Sequence, residues 1–272
     1  MEELRFEIGN QVRFPTVSEQ PVGWGEPRYL RQAAGFKAIV NSETGKVFSI
    51  VSRDYKLIRH EEAIKEVEAA IHHTNGLGPF EIKTAFYNDG GRMRRTYRFV
   101  AVACEVKPGD FINPELVLLN SYDLAWPFIV DLGAYRQVCS NGLVIGTILL
   151  QLRRRHVSEL SRIGLREKVR TALERFGEET LLWQDWAQRR LTEDTYNHVM
   201  EAMDLGINAT EEIEGQIRSE SEGEDTGGFP GMTLWVFFNV LCWYVTHKTV
   251  SLNHRVEMES RLKTAIKHFS RS

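Results

Sequence analysis

Between Phe80 and Leu150, short β-rich runs follow one another with little but turn residues between them, and no other feature restricts the fold as much. Phe80–Tyr87 and residues 93–104 flank Asn88-Asp89-Gly90-Gly91, a strong turn signal. Residues 115–121, 128–132, 135–139 and 143–150 extend the series. The last two runs flank Asn141-Gly142, the commonest two-residue hairpin signal, because both residues tolerate positive φ. Strands that follow strands this closely predict an antiparallel sheet rather than a doubly wound one.

Residues 1–35, punctuated by Pro15, Pro21, Gly23, Gly25, Pro27 and Gly35, read as an irregular lead-in. Residues 36–40 and 47–52 predict a hairpin across the polar loop Asn41 to Gly45, and 55–58 continue the extended run. Residues 61–73 predict a helix with Ile64, Val67, Ala70 and Ile71 at helical spacing, stopped by Asn75-Gly76. After Arg153 the period lengthens: helices are expected at 159–176, from Thr192, at 209–217, at 233–247 and at 255–269. Residues 219–228 are acidic and Gly-rich, as in a solvated loop. The fold class expected is α+β, a largely antiparallel sheet in the N-terminal half packed with a helical C-terminal half. The parts are the lead-in, a β-rich core with one helix at 36–156 and a helical part at 157–272, in one composite domain.

The formal charge of −3 over 272 residues argues for no particular partner. No apolar run is long enough to span a bilayer, and the acidic start Met1-Glu2-Glu3 lacks a signal core. Cys104, Cys139 and Cys242 are too scattered for a disulfide framework or a zinc site, which points to a reducing, cytoplasmic setting. Phosphate-binding, dinucleotide-binding, nucleophile-elbow and His-Glu-x-x-His motifs are all absent, so no catalytic residue, metal ligand or cofactor is assigned. His72-His73 suits a helix end.

Arg92-Met93-Arg94-Arg95-Thr96-Tyr97-Arg98-Phe99 carries the sharpest local chemistry. Alternation puts Arg92, Arg94, Thr96 and Arg98 on one face of a strand and Met93, Arg95, Tyr97 and Phe99 on the other. Such a row of planar, permanently charged donors suits a phosphate backbone. Arg153, Arg154 and Arg155 with His156 start a second basic row, continued by Arg162, Arg166, Lys168 and Arg170, and Tyr97 or Tyr87 would offer a stacking face. The competing reading is a solvated face paired with the acidic residues of the chain. Glu81-x-Lys83 is half of a metal-dependent nuclease pattern, and equally an ordinary alternating strand surface. The acidic tract from Glu211 to Asp225 is a solvated loop or a segment that masks the basic face. The stretch from Thr233 to His247 is apolar almost all round, hence a buried helix or a subunit contact, and Asn239 inside it needs a partner. Cys139 reads as a small core residue.

Glu115-Leu116-Val117-Leu118-Leu119-Asn120-Ser121-Tyr122-Asp123 and Tyr135-Arg136-Gln137-Val138-Cys139-Ser140-Asn141-Gly142-Leu143 resemble the signature of a family borne by phages and plasmids, the domain of unknown function nine-three-two. Ser52-Arg53-Asp54-Tyr55-Lys56 with Glu61-Glu62-Ala63 is similar to its N-terminal block, and Thr233-Leu234-Trp235 through Asn239 to His247 to its C-terminal block. Cys242 departs from the expected threonine. The family motif residues are Arg136, Cys139, Asn141 and Gly142. The resemblance implies a mobile-element setting and brings no activity or catalytic residue with it. By analogy of fold, a basic sheet backed by helices is like phage single-strand annealing proteins.

The leading expectation is a non-enzymatic protein that binds single-stranded DNA, an annealing or recombination accessory. Arg92, Arg94, Arg98, Arg153, Arg154 and Arg155 would meet phosphates and Tyr97 would stack. A homo-oligomeric anti-defence or host-takeover factor, using the helix around Trp235 or the acidic loop, is the second. A metal-dependent nuclease using Glu81 and Lys83 is the third.

Overall fold

The computed structural model describes residues 5–7, 14–26, 29–74, 76–136, 150–154, 164–221, 232–248 and 252–271. The chain divides into two compact units. The first comprises Met1–Val102, Glu115–Leu132 and Leu150–Ala172, and the second Ala103–Pro114, Gly133–Leu149 and Leu173–Ser272.

The first unit carries two antiparallel sheets. β1 (Arg5–Glu7) lies in the larger, while β2 (Val17–Trp24), β3 (Arg31–Asn41) and β4 (Val47–Ser52) make the smaller in the order β2-β3-β4. The Asn41 side chain closes the β3–β4 turn by accepting the N–H groups of Glu43 and Thr44, and Gly45 supplies the positive φ that follows. Residues 17–24 and 31–35 are therefore strand, where proline and glycine punctuation predicted an irregular lead-in. Pro21 is tolerated because β2 is an edge strand and its register with β3 shifts between Pro21 and Gly23. Val17, Ile39, Phe48, Val51 and Tyr122 form the local core.

α1 (His60–His72) follows, one residue earlier than its apolar spacing suggests. Glu62 accepts the backbone N–H of Arg59 at its start. Gly76, with φ 85°, lies beyond its end. The larger sheet then assembles from β5 (Phe80–Tyr87), β6 (Arg92–Phe99), β8 (Asp110–Ser121, reached after β7, Cys104–Lys107), β9 (Phe128–Arg136) and β10 (Leu150–Arg154). Its order is β1-β5-β6-β8-β9-β10. Ile64, Val67, Ala70 and Ile71 of α1 are buried, as are Met93, Tyr97, Phe99, Leu116 and Leu118 of the sheet. The run expected at 93–104 breaks after Phe99, where Val102 N–H turns back to the Phe99 carbonyl.

In the second unit, β7 pairs with the start of β8. The helices are α2 (Leu165–Gln188), which enters from the first unit, α3 (Glu193–Met203), α4 (Ile207–Ser221), α5 (Leu234–His247) and α6 (Leu252–Ala265), with a 3-10 segment at Ile266–Arg271. Thr192 and Thr233 cap α3 and α5 by accepting the N–H groups of Thr195 and Val236. Trp183, Trp186, Trp235, Phe237, Phe238 and Phe269 are buried, and their rings contact one another at centroid distances such as 4.8 Å for Trp186 and Phe269. The buried Asp110 carboxylate accepts the indole N–H of Trp235 at 2.9 Å. Asn239 donates to the Trp235 carbonyl, which supplies the partner its place in an apolar helix demands. α2 runs on to Gln188, well past Phe176, because Trp183 and Trp186 keep its buried stripe going. Ser219 to Ser221 end α4 as helix, while most of the expected acidic loop lies outside the described residues.

Candidate nucleic-acid interface

The basic row sits on a hairpin whose turn leaves little freedom. Asn88, Asp89 and Gly90 hold φ of 53°, 52° and 81°. A Cβ on Gly91 would lie 2.8 Å from the Phe48 ring, so only glycine fits. Lys46 bridges Asn88 and Asp89 at 2.7 and 2.6 Å. From below, the buried His60 ring stacks on Tyr122 at 4.1 Å and bonds the Gly90 carbonyl through Nε2 at 2.9 Å. A carbonyl only accepts, so Nε2 carries the proton, and Nδ1 accepts from Asn120 Nδ2 at 3.0 Å. Asn120 also donates to the Ile58 carbonyl. Asn120 at the end of β8 and Tyr122 just past it thus form a polar hub with His60 that fixes α1 against the hairpin turn.

Strand register then lays out the opposite face in rows. Tyr87, Arg92 and Ser121 align, followed by Ala85, Arg94 and Leu119, then Lys83, Thr96 and Val117, and finally Glu81, Arg98 and Glu115. Alternation placed Arg92, Arg94 and Arg98 together correctly, and all three are half-buried. The cations are partly matched. Arg92 donates to Asp123 through Nε, and Arg98 lies 3.5 Å from both Glu81 and Glu115. Burial lifts the Glu115 carboxyl above the ordinary carboxylate range, against the opposing pull of Arg94 and Arg98. Lys83 is exposed beside them.

Tyr97 does not stack on this face. It is fully buried on the α1 side, where its hydroxyl meets Arg95 and Glu68, because odd-numbered positions of β6 point to the core. Arg95 joins the same buried group, donating to Thr84 at 2.8 Å and Glu68 at 2.9 Å. The half-buried aromatic groups beside the arginines are Tyr87 and Trp126. Their rings meet edge to face at 5.7 Å, and the Arg92 guanidinium lies 5.9 Å from the Trp126 ring centre.

Trp126 has no signature in the sequence. It reaches this place through the β8–β9 loop, where Ser121 Oγ donates to the Trp126 carbonyl and accepts its N–H. Asp123 turns the loop by accepting the Ala125 N–H. The loop is thus folded by residues of the Asn120–Asp123 segment.

Of the second basic row, Arg153 is exposed on β10 and Arg154 ends that strand. β10 is three strands from β6, roughly 14 Å at ordinary spacing. Arg155 lies outside the described residues, as do Cys139, Asn141 and Gly142, while Arg136 ends β9. The two halves of the Glu81-x-Lys83 pattern are exposed, and Arg98 occupies the position between Glu81 and Glu115. Among the described residues, no three His, Cys, Asp or Glu side chains are grouped to hold a metal ion. No described helix is long and apolar enough to cross a membrane.

Fold and site together define an α+β protein whose antiparallel sheet is backed by a helix on one face and carries Arg92, Arg94 and Arg98 on the other, beside Tyr87 and Trp126. The family model for Domain of unknown function (DUF932) matches residues 47–267, and the chain belongs to that family. The match takes in every residue of the face just described. No curated protein and no solved structure matches the chain.

Proposed function

We propose that this protein binds single-stranded nucleic acid on the sheet face formed by Tyr87, Arg92, Arg94 and Trp126, as an annealing or recombination accessory of a phage or plasmid. The observation that carries the reading is the half-buried Tyr87–Trp126 ring pair with the Arg92 guanidinium beside it. Proteins that hold single strands without sequence preference combine stacking platforms with cationic tracks in this way. Fluorescence anisotropy at low salt with a labelled oligo-deoxythymidine is the test. Binding should weaken as salt rises and should drop in the Arg94→Ala variant. No affinity at low salt would sink the reading.

A second reading, a protein-interaction factor, draws on a different surface. Trp235, Phe237, Phe238 and Tyr244 of α5 are buried, so that helix is core rather than a free contact. Trp24, Tyr29 and Leu30, at the β2–β3 connection, are instead 60%, 77% and 65% exposed. Co-purification of a host protein without nucleic acid, abolished by Trp24→Ser and Tyr29→Ser, would favour it.

A further inference from the structure

From the register of β5, β6 and β8 we infer that the binding face takes only a short stretch of single strand, about two to four nucleotides, because carboxylates close it at both ends. The inference rests on the nucleic-acid reading above. The basic strip runs from Lys83 to the level of Tyr87 and Arg92, four strand residues or roughly 13 Å. A stacked single strand advances about 3.4 Å per phosphate, and a stretched one about twice that.

Beyond Lys83 the next row is Glu81, Arg98 and Glu115, whose single cation lies within 3.5 Å of a carboxylate on either side. A phosphate arriving there meets Glu81 and Glu115 flanking a cation that both already contact. At the other end, past Tyr87, the hairpin turn carries Asp89, 68% exposed even while paired with Lys46. Within the strip, Arg94 and Lys83 reach the phosphates, and the Tyr87–Trp126 pair takes one base. A long continuous groove would need a cation where Glu81 stands, and at the turn Lys46 is already held by Asp89 and Asn88.

The test measures affinity of the full chain for oligo-deoxythymidines of two, four, eight and sixteen nucleotides, at several salt concentrations. Affinity should climb steeply up to four nucleotides. Beyond that, the gain should not exceed the number of registers in which a four-nucleotide site fits on the longer strand. Two phosphate contacts should give a slope of log Kobs against log salt of about −1.4. Glu81→Lys, at an exposed position, should steepen that slope by about 0.7 and favour the eight-nucleotide strand. A slope steeper than about −3, or gains beyond the register count, overturns the short footprint while the nucleic-acid reading stands. Binding at no length would instead overturn that reading, and this inference with it.

Discussion

Arg92 and Asp123 are bonded through Asp123 Oδ2, and this contact ties the arginine-bearing strand to the loop that presents Trp126. The same oxygen accepts from Asn88 in the hairpin turn, while Oδ1 accepts the Ala125 N–H. One nearly buried carboxylate therefore sets the positions of the turn, the cation and the aromatic ring.

Asp123→Asn keeps the shape of that side chain but removes its charge and one of its acceptors. Charge-assisted hydrogen bonds are worth about 1.5–3 kcal/mol each, and Arg92 can recover some hydration, so a loss of about 2 kcal/mol is expected. Urea unfolding measures it. A variant within about 0.5 kcal/mol of the parent would show that Arg92 is not anchored there.

Trp126→Leu should leave global stability nearly unchanged, since the ring is only partly buried. Loss of a stacking base is worth about 1–3 kcal/mol, so single-strand affinity should fall by about tenfold. Equal affinity in the two proteins would remove Trp126 from the interface. Tyr97→Phe gives the contrast: it should cost stability through the lost Arg95 and Glu68 contacts and leave binding in the folded protein unchanged.

Glu115 predicts a pH dependence of definite sign. Burial raises its folded-state pKa, so the folded chain holds that proton more tightly than the unfolded chain does. Its contribution to stability is fully present below the unfolded value near about 4.3 and is lost as pH rises through the raised value. Glu115→Gln does not titrate. Wild-type stability should therefore fall relative to the variant as pH rises above the unfolded value, measured as the difference of denaturant midpoints. Parallel curves would show that Arg94 and Arg98 cancel the effect of burial.

In the helical unit, Trp235→Phe keeps most of the ring packing but removes the indole N–H that Asp110 accepts. Depriving a buried carboxylate of a donor costs about 1–3 kcal/mol, more than the change of ring alone would. Pairing the change with Asp110→Asn in a double-mutant cycle isolates the bond. A coupling near zero would mean that the packing, not the bond, holds α5 in place.

Much of this was legible in the sequence because it depends on near neighbours. The spacing of Ile64, Val67, Ala70 and Ile71 determined a helix with one buried face, and Thr192 and Thr233 marked two helix starts. Alternation along β6 put Arg92, Arg94 and Arg98 on one side, and the same period should have removed Tyr97 from it. The strand at 17–24 was hidden because Pro21 and Gly23 read as breakers, and only pairing with β3 shows that they sit at an edge and a register shift.

What the tertiary structure alone decided is which charges and rings meet. Asp123 lies 31 residues from Arg92 in sequence. Glu115 and Glu81 come to Arg98 from two different strands, and Trp126 reaches Tyr87 through a loop closed by Ser121 and Asp123. Helix and strand periods follow from local backbone geometry, so a single sequence determines them. Contacts between strands depend on register, which is fixed only when the whole sheet has assembled.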